Sequence, residues 1–124
     1  FMYRAAIEKL YRWKESKRRK PLIIEGARQV GKTWLMKEFG NQAYSKTVYI
    51  NFDSNSKMAD LFASDLNIDR LIMGLELYCG HKINPDNTLM IFDEVQEVPR
   101  ALTSLKYFCE NAPQYHIVCA GSLL

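Results

Sequence analysis

The 124-residue sequence predicts an α/β fold in which helices cover both faces of a parallel β-sheet. Three observations favour this class. Short apolar runs rich in β-branched residues alternate with longer segments that have helical spacing. The runs show little internal alternation, as is typical of strands buried on both faces. Two of them, at residues 22–25 and 88–94, lead into glycine or carboxylate residues, at the strand ends where parallel sheets bind ligands.

The composition is that of one globular domain. The length and the 48% hydrophobic content allow a buried core, and the net charge of +3 is too small to require a nucleic-acid partner. Three widely spaced cysteines without a C-x-x-C pair predict reduced thiols. No apolar run approaches the roughly 18–20 residues of a membrane span, so we expect no membrane partner. We therefore expect one soluble, cytoplasmic domain over residues 1–124.

The first elements are predicted to be a helix, a strand and a second helix. Residues 3–17 place apolar side chains at helical spacing, and Pro21 is expected to stop this helix. The sequence LIIE, residues 22–25, is short, apolar and bounded by glycine, as a buried strand would be. After a glycine-containing loop, residues 32–40 have helical spacing, and Gly40 is expected to end that helix.

The rest of the chain continues the alternation. The predicted elements are a strand at 47–52, helices at about 57–63 and 68–78, a strand at 88–94, a helix at about 100–110 and a strand at 116–121. Pro99 suits the first turn of the helix before the last strand. Because the chain ends right after that strand, we expect it to be a fragment of a longer protein.

The segment GARQVGKT, residues 26–33, matches the phosphate-loop pattern G-x-x-x-x-G-K-[ST] in full. Its glycines allow a tight turn that points N–H groups inward at a helix N-terminus, where negative charge is favoured. Lys32 is expected to reach the β- and γ-phosphates, and Thr33 to bind Mg²⁺ through its hydroxyl. The alternative is a plain glycine turn with a solvated Lys32. The residues predicted to bind nucleotide are Gly26, Ala27, Arg28, Gln29, Val30, Gly31, Lys32, Thr33 and Trp34.

The segment LMIFDE, residues 89–94, supplies a second motif. Four apolar residues predict a buried strand whose carboxyl end presents two acids, Asp93 and Glu94. We expect Asp93 to hold the Mg²⁺ together with Thr33, and Glu94 to activate an attacking water. The alternative is a pair of acidic turn residues that cap the next segment. Trp34 is expected to pack its helix on the sheet, or else to border the nucleotide.

These residues resemble the core of a P-loop ATPase of the AAA superfamily, with GARQVGKT as Walker A and LMIFDE as Walker B. The segments IFDEVQEVPRALTSLKYFCE and YHIVCAGSLL extend the resemblance to an uncharacterised bacterial and archaeal group of AAA-type ATPases. The resemblance implies a three-layer P-loop sandwich of the additional-strand type, truncated after the sensor-1 strand. It also implies ATP and Mg²⁺ as ligands and a catalytic sensor role for Ser122, for which the alternative is a turn residue at the strand end. Arg28 and Arg100 are available cations, but neither matches an arginine finger.

The leading functional hypothesis is binding and hydrolysis of Mg·ATP to ADP and phosphate, with Glu94 and Lys32 as catalytic residues. Hydrolysis would be coupled to a conformational change in an absent C-terminal domain or in a partner. The alternative is a nucleotide-dependent switch or scaffold with little turnover. The resemblance allows a homo-oligomer or a protein partner. The basic residues 14–20 lack interleaved aromatic side chains and favour a solvated helix end over a nucleic-acid site.

Overall fold

The computed structural model of the protein describes residues 2–25 and 31–121, and the following elements are those within these ranges. The helices are α1 (Met2–Glu15), α2 (Lys32–Ala43), α3 (Ser56–Ala63), α4 (Ile68–Cys79) and α5 (Pro99–Asn111), with a short 3-10 helix at Val95–Glu97. The strands are β1 (Leu22–Ile24), β2 (Lys46–Asn51), β3 (Thr88–Asp93) and β4 (His116–Ala120). Pro99 opens α5, as predicted.

The four strands form one parallel sheet in the order β1-β4-β3-β2. The last strand in sequence, β4, lies between β1 and β3, so that Val118 is in register with Leu22 on one side and Ile91 on the other. This confirms the predicted α/β fold with an additional strand beside the one that leads into the glycine loop. Within the described residues, β1 lies at an edge of the sheet.

The pleat of the sheet divides the core into two layers. All six residues of β3 are buried, and alternate residues serve opposite faces. Leu89 and Ile91 pack in a cluster with α1 and α2, whereas Met90 and Phe92 pack in a cluster with α3, α4 and α5. With helices on both faces, the molecule is the predicted three-layer sandwich. The same alternation places Asp93, at the end of β3, on the α2 side.

The first helix ends before the position that the sequence predicts. It stops at Glu15, two residues before the predicted end at residue 17 and six before Pro21, so Pro21 is not what terminates it. Local hydrogen bonds turn the chain earlier. The Ser16 hydroxyl oxygen accepts a hydrogen bond from the Arg18 N–H at 3.1 Å, and the Trp13 indole N–H donates to the Lys20 carbonyl at 2.6 Å. Such side-chain to backbone bonds offer the chain an alternative to another helical turn.

Gly40 does not end α2, which contradicts the prediction. The helix continues to Ala43, and Gly40 is buried inside it. A Cβ atom at this position would overlap the hydroxyl of Thr47 on β2. The glycine therefore lets the backbone of α2 approach the sheet closely. In the sequence this glycine resembles a helix stop, but its role is to allow that packing.

The three cysteines are free, and Cys119 is buried in β4, where burial raises the pKa of its thiol. Within residues 2–25 and 31–121, no group of three or more His, Cys, Asp or Glu side chains is placed to hold a metal ion. None of the described helices combines the length and apolar character that a membrane crossing requires. The predicted cytoplasmic location stays a prediction.

The contact between Gly40 and Thr47 predicts an unusual mutational effect. Gly40→Ala should lower the free energy of unfolding by about 1–2 kcal/mol, although alanine normally raises helix stability by about 1 kcal/mol over glycine. In a Thr47→Ala background, which removes the obstructing hydroxyl, the same change should be neutral or stabilising. Urea denaturation of the parent, the two single variants and the double variant measures these free energies of unfolding.

Gly74→Ala in α4 is the matched control. A Cβ there would overlap the Leu61 side chain, most closely at a terminal methyl group that can rotate aside, so the loss should be smaller than at Gly40. A Gly40→Ala variant that is more stable than the parent in both backgrounds would contradict the close-approach explanation.

Candidate nucleotide and metal site

The site lies where the carboxyl ends of β3 and β4 meet the start of α2. Gly31 precedes this helix with φ of 114° and ψ of −10°, a conformation that favours glycine. The Tyr3 hydroxyl of α1 lies against Gly31, and a Cβ added to the glycine would overlap it. Both the backbone angle and the neighbouring phenol therefore require a glycine at this end of the predicted phosphate loop.

The first turn of α2 is suited to an anion. Its N–H groups have no carbonyl partners within the helix, Gly31 has no side chain to cap them, and the turn contains no acidic residue. The ammonium of Lys32 lies near the tip of β4, where it donates a hydrogen bond to the carbonyl of Gly121 at 3.4 Å. Helix donors and a cation thus converge beside the carboxyl ends of the strands.

Thr33 and Asp93, from the two sequence motifs, are in direct contact. The Thr33 hydroxyl donates to Asp93 Oδ2 at 2.5 Å, across 60 residues of sequence. Asp93 is only 6% exposed, and its other oxygen, Oδ1, accepts a hydrogen bond from the N–H of Glu94 at 3.0 Å. A nearly buried carboxylate needs such donors, since an unpaired charge in this position would be strongly destabilising.

Tyr49 is a third residue at this carboxylate, and the sequence interpretation did not find it. Its hydroxyl donates to Asp93 Oδ2 at 2.8 Å from the neighbouring strand β2. Burial, and next the hydrogen bond to Asp93, raise the pKa of the Tyr49 phenol, which therefore stays a protonated donor. The buried Val48 and Ile50 place Tyr49 on the α2 face. That alternation was readable in the sequence, but the register that brings Tyr49 to Asp93 was not.

Glu94 adopts a left-handed backbone conformation, with φ of 52° and ψ of 44°. For a residue with a long side chain this costs about 1 kcal/mol or more, and such strain is concentrated at functional sites. Its Oε1 accepts a hydrogen bond from the Gln96 amide at 2.9 Å, and the same amide lies 3.4 Å from Glu97 Oε2. The backbone turn at Glu94 directs the chain from β3 into the short 3-10 helix.

The donor set at Thr33 and Asp93 fits a magnesium ion. It consists of a hydroxyl and a carboxylate, and Mg²⁺ prefers such oxygen ligands, of which a protein often supplies only one or two. The proton of Thr33 points to Asp93, which leaves the lone pairs of the hydroxyl oxygen available to a cation. The residues present are therefore compatible with the metal that the sequence predicts.

Trp34 does not pack α2 on the sheet, so that expectation from the sequence is wrong. Its side chain is 51% exposed, because it follows Thr33 on the outer side of the first helical turn. The indole ring lies 4.9 Å from the ring of Tyr3, centroid to centroid. The two aromatic side chains form an exposed pair beside Gly31, so the alternative that Trp34 borders a ligand stays a prediction.

Arg100 holds two helices together. Its Nε donates to the carbonyl of Phe62 at 2.8 Å and so ties α5 to the last turn of α3. The predicted loop residues Gly26, Ala27, Arg28, Gln29 and Val30, and the predicted sensor Ser122, lie outside the described residues. Their roles stay predictions.

Comparison with known proteins identifies a family. A family model described as an AAA domain matches residues 18–124. No match is found among curated proteins. A solved structure of PCH-2 from C. elegans is similar, with 20% sequence identity and a TM-score of 0.47 over 98% of this chain. The match covers 35% of that structure's chain, so this chain spans about a third of its length.

The strained backbone at Glu94 predicts a difference between two substitutions. Asparagine tolerates the left-handed region better than glutamine does, so Glu94→Asn should unfold with a free energy about 0.5–1 kcal/mol higher than Glu94→Gln. Urea denaturation without nucleotide measures the difference. The same pair of substitutions at Glu97, whose backbone lies in the 3-10 helix, is the control and should show no advantage for asparagine. Equal stabilities of the two Glu94 variants would contradict the strain.

Proposed function

The chain belongs to the AAA domain family, and we propose that it binds ATP with Mg²⁺ and hydrolyses it to ADP and phosphate. One observation carries this proposal most strongly. The hydroxyl that ends the phosphate-loop motif lies 2.5 Å from the carboxylate that ends the buried strand β3, which is the pairing that a magnesium-nucleotide site requires. Family membership independently supports nucleotide binding.

The phosphates would be bound by the loop and the start of α2. Gly31 and the first-turn N–H groups offer donors, and Lys32 supplies a positive charge close enough to exchange the Gly121 carbonyl for phosphate oxygens. Residues 26–30 would complete the cradle, and Ser122 would act near the γ-phosphate. The exposed Trp34 would border the nucleotide, with Tyr3 beside it.

Thr33 and Asp93 would hold the magnesium ion, which neutralises charge on the phosphates when it is bound. Thr33 would bind through its hydroxyl oxygen and keep its proton directed at Asp93. Donors from Thr33, Tyr49 and the Glu94 backbone would hold the Asp93 carboxylate in place beside the ion.

Glu94 would act as the general base. It follows Asp93 directly at the carboxyl end of β3, and its carboxylate can accept the proton of a water that attacks the γ-phosphorus in line. The bond from phosphorus to the bridging oxygen of ADP would break as the new bond to water oxygen forms. Most of the rate enhancement would come from positioning and charge neutralisation, since the reaction needs no covalent intermediate.

The output of hydrolysis would be a conformational change in another domain or in a protein partner, including another copy of the chain. A switch or scaffold with slow turnover is the second candidate, and the hydrogen bond from the Gln96 amide to Glu94 favours it. That bond engages Oε1 of the carboxylate that must accept a proton. A partner or nucleotide that displaced Gln96 would then permit hydrolysis.

Replacing the general base separates hydrolysis from binding. In the full-length protein, Glu94→Gln should retain ATP binding and lower phosphate release by about 100-fold or more, because a positioned base contributes about 10²–10⁴ in rate. Glu97→Gln is the matched control, since it removes an exposed carboxylate three residues away, and its turnover should be normal. Unchanged turnover of Glu94→Gln would remove Glu94 from the proposed role.

A further inference from the structure

We infer that Tyr49 is a positioning residue for the magnesium site: its hydroxyl fixes the Asp93 carboxylate so that the Thr33 proton is held there and the Thr33 oxygen faces the metal. This inference rests on the proposed function. It assigns a role to a residue of β2, which contributes no part of either sequence motif.

One oxygen of the Asp93 carboxylate is shared by two hydroxyl donors. Both Thr33 and Tyr49 donate to Oδ2 of Asp93, at 2.5 and 2.8 Å, while the Glu94 N–H donates to Oδ1. The carboxylate is therefore held by donors from α2, from β2 and from its own chain. With both oxygens engaged, rotation about the side-chain torsion would break at least one charge-assisted hydrogen bond.

The strand register places Tyr49 within reach of Asp93. Tyr49 is in register with Ile91, two residues before Asp93, and both Tyr49 and Asp93 lie on the α2 face. The diagonal distance to a residue two positions along the neighbouring strand is one that a long aromatic side chain can span. From α2, the Lys37 ammonium lies over the ring, 4.0 Å from its centroid.

Thr33 and Lys37 are four residues apart on α2 and therefore lie on one face of the helix. Thr33 contacts Asp93, and Lys37 contacts the ring of Tyr49, so the helix, the tyrosine and the carboxylate form a closed set of contacts. Groups that orient metal ligands in this way typically change metal affinity or activity by about 10–100-fold when they are removed.

The test measures metal dependence rather than turnover. A fluorescent ATP analogue is titrated onto the protein with EDTA and then at increasing Mg²⁺ concentrations. Tyr49→Phe removes only the hydroxyl and should raise the Mg²⁺ concentration for half-maximal enhancement of binding by about tenfold. Affinity for the analogue in EDTA should be unchanged. Tyr49→Leu, which also lacks the hydroxyl but has a different shape, should show the same shift.

Tyr44→Phe is the matched control. Tyr44 also forms a partly buried hydrogen bond through its hydroxyl, at 2.5 Å from His116 Nδ1, but at the opposite end of the strands. His116 is held neutral there, since burial, with nearby Arg19 and Lys14, lowers its pKa to about 4. Tyr44→Phe should therefore alter stability at most, and leave the Mg²⁺ dependence of binding at the wild-type value.

The outcomes separate the two proposals. If the wild-type protein binds the analogue with Mg²⁺ and the two Tyr49 variants keep the wild-type Mg²⁺ midpoint, the positioning role is overturned and the proposed function stands. Loss of binding in EDTA by the same factor as in Mg²⁺ would equally overturn it, because it indicates general damage. A wild-type protein that binds no analogue in either condition would overturn the proposed function itself, and this inference with it.

Discussion

The hydrogen bond between Thr33 and Asp93 is the contact on which the rest of the site depends. It joins the first turn of α2 to the end of β3 and makes one site of two segments that are 60 residues apart. Hydrogen bonds to a charged group contribute about 1.5–3 kcal/mol to stability, but the geometric consequence matters more here. Because the Thr33 proton is committed to Asp93, the oxygen lone pairs have a defined direction.

The architecture is what allows that contact. Insertion of β4 between β1 and β3 sets the lateral distance between the glycine loop and the acidic strand end. The pleat of β3 then places Asp93 on the α2 side, together with Leu89 and Ile91. A slip of one residue in the register of β3 would turn Asp93 toward α3, α4 and α5 and would turn Phe92 toward α1 and α2. The apolar packing of the two layers therefore protects the geometry of the site.

The close approach of α2 to the sheet is a second requirement. Gly40 permits it at β2, and Gly31 permits Tyr3 to lie against the start of the helix. With Gly40 in place, α2 lies close enough to the sheet for Thr33 to contact the carboxylate at the end of β3 and for Lys37 to lie over the Tyr49 ring. Gly40 thus serves the packing of α2 on the sheet, and Gly31 serves the packing of α1 against the start of α2.

The sequence predicted the fold well because apolar runs and helical spacing are local patterns. The strands, the helices and the two motifs could all be read from residue types at short separations. The prediction for Gly40 was wrong because a glycine that ends a helix and one that admits a neighbouring strand look the same in sequence. Trp34 was misjudged because its apolar character suggested the core, whereas the helix turns it outward.

The residues that support the site were harder to predict. Tyr49 sits in a strand whose alternation is clear, yet only strand register shows that its hydroxyl reaches Asp93. Gln96 contacts Glu94 where the backbone of Glu94 enters the left-handed region. A glutamate in the sequence does not indicate that conformation, because residues other than glycine rarely adopt it. Both contacts depend on tertiary placement, and no spacing rule in a single sequence encodes them.

A double-mutant cycle on the magnesium-dependent gain in ATP affinity tests the central claim most directly. Thr33→Val removes the hydroxyl, and Asp93→Asn removes the charge. Each change alone should reduce the magnesium-dependent gain in ATP affinity by about tenfold or more. If the two residues form one metal site through their hydrogen bond, the double variant should lose no more than either single variant. Losses that multiply in the double variant would contradict the account, because they would mean that Thr33 and Asp93 act independently.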